Sequence, residues 1–265
     1  MSTDNYLTTV FDADSGILTI ALDRQDSEKN SIDTGMIEAL HAVLHPERVK
    51  PRARGLLLIS AREKVFSTGA DIEGELKDLD SLEASLFTSA GREVFSLLGR
   101  LSCPTVALVA GFALGGGLEL ALSCDFRIGV KTSRFGLPEI NLGVIPGWGG
   151  TQRLPRLIGH SRALKMILTG DPINAPTALE YGLIDEMVDS YTDLPGAGHK
   201  LLKKVLTKSK SAVALAKRAV REGLAMSLED GLTLESQIFS TAWGTADRAE
   251  GISAFIEKRR PSWQE

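Results

Sequence analysis

At 265 residues with 43% hydrophobic content, the chain is long enough for one large packed domain or a domain with an appended subdomain. A formal net charge of -4 without a lysine or arginine block argues against a nucleic-acid surface, which needs concentrated positive charge. The longest apolar stretches, such as residues 105–114, fall well short of the roughly 20 residues that span a bilayer.

In chain order, Met1-Ser2-Thr3-Asp4-Asn5 has neither the charged and apolar regions of a secretory signal nor an arginine-rich transit face. A cytoplasmic location is expected, or an organelle matrix if a leader has been removed. Asp14-Ser15-Gly16 followed by the alternating run 17–22 predicts a turn and a strand, so the chain opens with a hairpin. Ile32, Met36, Leu40, Val43 and Leu44 recur at helical spacing, and Pro46 is expected to end that helix. The continuous apolar run 55–60 reads as a buried strand. A loop at residues 66–71 leads to a helix striped by Leu82, Phe87, Val94 and Leu98, with Asp80 and Glu83 placed as a capping box.

Pro104 introduces a strand at 105–110; a glycine run then gives way to a short helix at 118–123 and a strand at 125–130. This alternation predicts an α/β fold with mostly parallel sheets. Beyond about Asp189 the pattern turns helical, with Ala212, Leu215, Ala216, Ala219 and Val220 on one face and Ile238, Phe239, Trp243, Ile252, Phe255 and Ile256 in two later helices, the last capped by Asp247 with Glu250. Such apolar surface must fold back on its own core or pack against another subunit. Two domains are expected, a core at 1–195 and a helical region at 196–265.

Cys103 and Cys124 sit beside apolar segments and read as buried thiols of a reducing compartment. His41 and His45 are four residues apart on a surface helix, and neither they nor His160 and His199 make a convincing metal set, so no metal is expected.

Gly115-Gly116-Gly117-Leu118-Glu119 puts unobstructed backbone just before a helix, where N–H groups and the positive end of the helix can hold an anion or a developing oxyanion. The spacing is wrong for a dinucleotide fingerprint, as it is at Gly147-Trp148-Gly149-Gly150, and there is no Walker lysine. Glu119 lies in an apolar helix, and Glu139 lies among Phe135-Gly136-Leu137-Pro138 and Ile140. Two carboxylates in such settings are equipment for paired acid and base work.

Four segments together resemble the crotonase, or enoyl-CoA hydratase/isomerase, superfamily over nearly the whole chain: Phe66-Ser67-Thr68-Gly69-Ala70-Asp71-Ile72, Gly111 through Ala121, Phe135-Gly136-Leu137-Pro138-Glu139, and Gly143 through Leu154. The resemblance implies the crotonase fold, a spiral of strand-strand-helix turns followed by a C-terminal helical region that builds trimers, paired into hexamers. It implies reversible syn addition of water across a 2-enoyl-CoA thioester. The backbone N–H groups of Ala70 and Gly116 would form the oxyanion hole, with Glu119 activating water toward the β-carbon and Glu139 exchanging the α-proton. Coenzyme A enters as part of the substrate, and no separate cofactor is implied. Gly69, Asp71, Ile72 and Gly115 belong to the matching substrate segments, and Trp148 either lines the acyl pocket or packs the core. Lys64, Phe239, Phe255 and Lys258 fall where the family meets the nucleotide, often from a neighbouring subunit. Two departures are visible: Glu73 stands where a basic residue is frequent, and the usual proline is missing from Asp26-Ser27-Glu28-Lys29-Asn30-Ser31. The alternatives are another reaction on the same scaffold, such as isomerisation, dehydration of a specialised hydroxyacyl-CoA or decarboxylation, or a catalytically silent acyl-CoA binder.

Overall fold

Strands β1 (Leu7–Asp12) and β2 (Ile17–Leu22) form the expected antiparallel hairpin. The structure is a computed structural model describing residues 5–45, 49 and 53–264; residues 1–4, and with them most of the N-terminal reading, lie outside the described residues, as does Pro46. Helix α1 (Thr34–Leu44) starts at Asp33, whose carboxylate accepts from the Met36 N–H at 2.7 Å. Ile32, expected within this helix, precedes its cap and instead bridges to Ala70, because an aspartate cap ends the extended chain one residue later.

Three strand-strand-helix turns follow. The first is β3 (Gly55–Ser60), β4 (Val65–Ser67) and α2 (Ser81–Arg100); the second is β5 (Thr105–Val109), β6 (Phe112–Leu114) and α3 (Gly116–Ser123). The third is β7 (Phe126–Val130), β8 (Arg134–Gly136) and α4 (Gly150–Ile158). After them come α5 (His160–Thr169), β9 (Ile173–Asn174), α6 (Ala175–Tyr181) and β10 (Glu186–Val188). The first strand of each turn joins a sheet of order β1-β2-β3-β5-β7-β10, and the second joins a smaller sheet of order β4-β6-β8-β9. Apart from the hairpin and the β8–β9 pair, the strands run parallel. The result is the spiral that the motifs imply.

The uninterrupted apolar character of β3 follows from burial on both faces. Leu56 and Leu58 point into the main core with Phe66, Phe95 and Phe135, while Leu57 and Ile59 point into a second cluster under α7 (Leu194–Leu206). The division expected between 195 and 196 falls inside α7, whose Leu194, Ala197 and Leu202 are buried against the large sheet. Helices α8 (Lys210–Gly223), α9 (Leu228–Trp243) and α10 (Ala246–Ile256) form the outer region. Lys217 and Arg221 of α8 anchor it to the core through Asp125, at 2.7 and 2.9 Å. The capping box at Asp80 and Glu83 is present. The cap of α10 is Thr245 rather than Asp247: the Thr245 hydroxyl accepts from the Arg248 N–H, while the buried Asp247 carboxylate accepts from the Gln264 N–H at 2.7 Å.

Candidate active site

Gly116 opens α3, and its N–H is one of the donors that a helix start leaves without an intrahelical partner. Ala70 is set beside it by a short bridge: the Ile32 N–H donates to the Gly69 carbonyl at 2.8 Å, and the Asp71 N–H donates to the Ile32 carbonyl at 2.9 Å. In an extended segment alternate residues turn their amides to opposite sides. With Gly69 and Asp71 bonded toward Ile32, the Ala70 N–H faces away, and among the described residues neither it nor the Gly116 N–H has a hydrogen-bond partner. The two segments are in close contact, since a Cβ built on Gly69 would lie 2.7 Å from the Gly116 nitrogen.

Glu119 occupies the first turn of the same helix and is 1% exposed. Its Oε1 accepts from the Trp148 N–H at 2.8 Å and the Gly150 N–H at 2.7 Å. These groups lie at the start of α4, so the carboxylate rests on the positive end of a second helix, which favours its anion. Burial nevertheless pushes its pKa above the ordinary carboxylate range, with the Gly150 and Trp148 N–H bonds pulling the other way.

Glu139 sits in a short 3-10 turn, Pro138–Leu142. Its Oε2 is buried and has no hydrogen-bond partner among the described residues. Burial, and secondarily the Glu119 charge, raises its pKa to about 7. Glu139 lies beside the glycine run: a Cβ on Gly115 would fall 3.2 Å from its Oε1. One carboxylate is therefore anchored by two N–H groups that offset part of its burial, and the other has a buried, unpartnered oxygen and is readily protonated. Two carboxylates in contrasting settings thus lie beside two backbone N–H groups that have no partner among the described residues, an arrangement able to support paired proton transfer.

The other expected residues are distributed differently. Trp148 is 4% exposed and stacks at 5.3 Å against both Phe87 and Phe95; its ring lies against Gly116, so the side chain packs into the core beneath the glycine run while its backbone N–H holds Glu119. Asp71 turns its carboxylate to Arg24 at 2.8 Å and to the Gly74 N–H at 3.0 Å. Ile72 and Lys64 are exposed on either side of the loop, Gly69 is buried within it, and Gly115 caps α3. Phe239 and Phe255 line a separate apolar cleft with Trp243, Ile252 and Trp263, and Lys258 follows α10 with φ at 55°. Glu73 pairs with Lys29 at 3.6 Å. His41 and His45 meet edge to face, and among the described residues no group of three His, Cys, Asp or Glu side chains could hold a metal. No helix among them is long and apolar enough to cross a membrane.

Arg24 and Asn30 carry a part of the site that the residue pattern did not reveal. Asn30 is fully buried at φ 46°; its side chain accepts from the Arg24 N–H and donates to the Leu22 carbonyl and the Ser60 hydroxyl. The missing proline between residues 26 and 31 was the only local signal.

Comparison with known proteins agrees with this geometry. A family model described as enoyl-CoA hydratase/isomerase matches residues 12–265. A crotonyl-CoA hydratase from Syntrophomonas wolfei is 40% identical over 213 residues, covering 80% of this chain and 81% of that protein. A short-chain-enoyl-CoA hydratase from Clostridium acetobutylicum is 37% identical over 231 residues, covering 87% and 88%. The crystal structure of an enoyl-CoA hydratase from Bacillus anthracis superposes with a TM-score of 0.89 at 36% identity, covering 97% of this chain and 98% of that one.

Proposed function

The chain belongs to the enoyl-CoA hydratase/isomerase family and has its crotonase fold, and from that premise we propose that Glu119, Glu139 and the Ala70 and Gly116 N–H groups carry out its chemistry. It is an enoyl-CoA hydratase, adding water reversibly to a 2-enoyl-CoA thioester. The thioester oxygen accepts from Ala70 and Gly116, which draws electron density toward the carbonyl as enolate character develops. Losing one such donor typically costs about 2.7 to 4 kcal/mol of barrier. Glu119 takes a proton from water as its oxygen bonds to the β-carbon; Glu139 gives its proton to the α-carbon; proton return from Glu119 to Glu139, directly or through solvent, closes the cycle. Both carboxylates work from the side of the glycine run, so hydrogen and hydroxyl add to one face.

The observation that carries this reading is the contrast between the two carboxylates, one bonded by two N–H groups and the other buried with an unpartnered oxygen. Loss of the enoyl absorbance of crotonyl-CoA tests it, with formation of a 3-hydroxyacyl-CoA expected and a shifted double bond opposing it. The pH profile follows from Glu139. Its pKa is raised to about 7, so the proton-donating form is present below that pH and lost above it. Hydration kcat/KM should fall about tenfold per pH unit above an alkaline limb near 7, a value belonging to the coupled pair. An enzyme whose rate stays flat to pH 9 would contradict Glu139 as the donor.

The enzyme acts as a trimer or a dimer of trimers. Phe255 at 85% exposure and Leu228 at 81% support this, as does α8, in which no residue is buried. Phe239, Phe255 and Lys258 then reach the coenzyme A nucleotide of a neighbouring subunit, and Lys64 meets it from within the chain. Light scattering should give three or six times the mass of the 28.5 kDa chain; a monomer at micromolar concentration would remove this part. A reducing compartment, the cytoplasm or an organelle matrix, suits the free, buried Cys103 and Cys124.

A further inference from the structure

We propose that Arg24 and Asp71 form a positioning pair that sets the direction of the Ala70 N–H and thereby governs turnover without touching substrate; this rests on the oxyanion-hole reading of Ala70. The Ala70 N–H belongs to the Gly69–Ala70 peptide, whose carbonyl accepts from the Ile32 N–H, and the next peptide donates from the Asp71 N–H to the Ile32 carbonyl, so the direction of the Ala70 N–H follows from how residues 69–71 are seated against Ile32. The Asp71 carboxylate accepts from Arg24 Nη1 at 2.8 Å, and the same Nη1 donates to the Ser31 carbonyl at 3.1 Å and to the Ser31 hydroxyl at 3.1 Å. Arg24 is thus bonded at once to the oxyanion loop and to the strand segment on which that loop is built. Its side chain is 9% exposed and that of Asp71 15%, so water screens the pair little.

The surrounding bonds make Arg24 the fastening at the Asp71 end of a longer seam. The Thr68 N–H donates to the Lys29 carbonyl, the Ser67 hydroxyl to the Asn30 carbonyl, the Ile32 N–H to the Gly69 carbonyl and the Asp71 N–H to the Ile32 carbonyl. Residues 67 to 70 are held by backbone and hydroxyl groups alone. At Asp71 the chain leaves the seam for the turn at Gly74, and there the ion pair replaces the ladder. Loosening this end lets residues 69–71 shift against Ile32, and the Gly69–Ala70 peptide, which is bonded there, tilts with them. A misplacement of about 1 Å at a reacting group can cost about 10²-fold in rate.

Asp33 supplies a matched control. It pairs with the same guanidinium at 3.0 Å and is also 15% exposed, but its backbone does not adjoin Ala70. Asn caps a helix as well as Asp does, so Asp33→Asn leaves α1 capped. The experiment measures kcat and KM for crotonyl-CoA, with thermal unfolding, for the parent, Asp71→Asn and Asp33→Asn. The expected result is a kcat loss of about 10- to 100-fold for Asp71→Asn with KM within about threefold, while Asp33→Asn keeps kcat within about threefold. Should Asp71→Asn fail to fold, Arg24→Lys reads the same split, because an ammonium keeps the charge but lacks the planar fork. A kcat within threefold of the parent in the folded variant, or an equal loss in Asp33→Asn, overturns the proposal. A parent that hydrates no enoyl-CoA overturns the underlying function instead.

Discussion

Glu119→Gln should lower the hydration kcat by about 10²- to 10⁴-fold, the range general base catalysis contributes, while leaving the affinity for a non-reacting acyl-CoA within a few fold. The amide is nearly the same size, and its oxygen can still accept from the Trp148 and Gly150 N–H groups that now hold Oε1. The side chain keeps its place; only the capacity to take a proton from water is lost. Burial has raised the pKa of this carboxyl, so ionising it opposes folding. For a raised carboxyl the stability is fully present below the unfolded pKa and lost as pH rises through the folded one. The variant should therefore unfold at an equal or higher temperature than the parent at pH 8. Steady-state rates and a melting curve on the same preparation make the check. A variant retaining more than about a tenth of the parental kcat would remove Glu119 from the mechanism.

Gly69→Ala is expected to cost about 10²- to 10³-fold in kcat, comparable to the loss of an oxyanion donor. Gly69 sits at φ +91°, a backbone conformation that disfavours a side chain, and the added Cβ would fall 2.7 Å from the Gly116 nitrogen and 2.9 Å from the Leu114 carbonyl oxygen. Both contacts are backbone, so the two segments carrying the hole must separate. Gly143→Ala isolates the conformational part of the effect: Gly143 is at φ +73°, with nothing within 4 Å of a built Cβ. It should lose stability of about 1 kcal/mol and little activity. Equal activity losses in the two variants would mean that strain, and not closure of the hole, is responsible.

The first hairpin, β3, β5, β7 and α2 were legible because each is long enough to show its period or lies between strong stop signals. The smaller sheet was not. β4, β6 and β8 span three residues each, and two of them end at or beside the glycine-rich segments that read as loops. Their strand character comes from lateral pairing, such as Ala113 between Ser67 and Phe135, which no local window contains. The carboxylates and the glycine run stood out because polar or flexible residues interrupt apolar sequence there. Their joint role came from motif resemblance, since more than 15 residues separate Glu119 from Glu139. Arg24 was invisible for the opposite reason: an arginine after a strand is ordinarily solvated, and only the folded chain brings Asp33 and Asp71 around it. Trp148 shows the limit of residue type as evidence, because a large aromatic beside a catalytic segment could equally have faced the acyl chain or the core.

The central claim is that two glutamates on one side of the substrate deliver the elements of water together. Hydration of crotonyl-CoA in deuterium oxide, followed by NMR of the isolated 3-hydroxybutyryl product, tests it most directly. The account predicts a single deuterium at the α-carbon, on the same face as the new hydroxyl, at early turnover, and no such product from Glu119→Gln or Glu139→Gln at matched enzyme. Deuterium distributed over both faces, or placed opposite the hydroxyl, would contradict the arrangement of Glu119 and Glu139 described above.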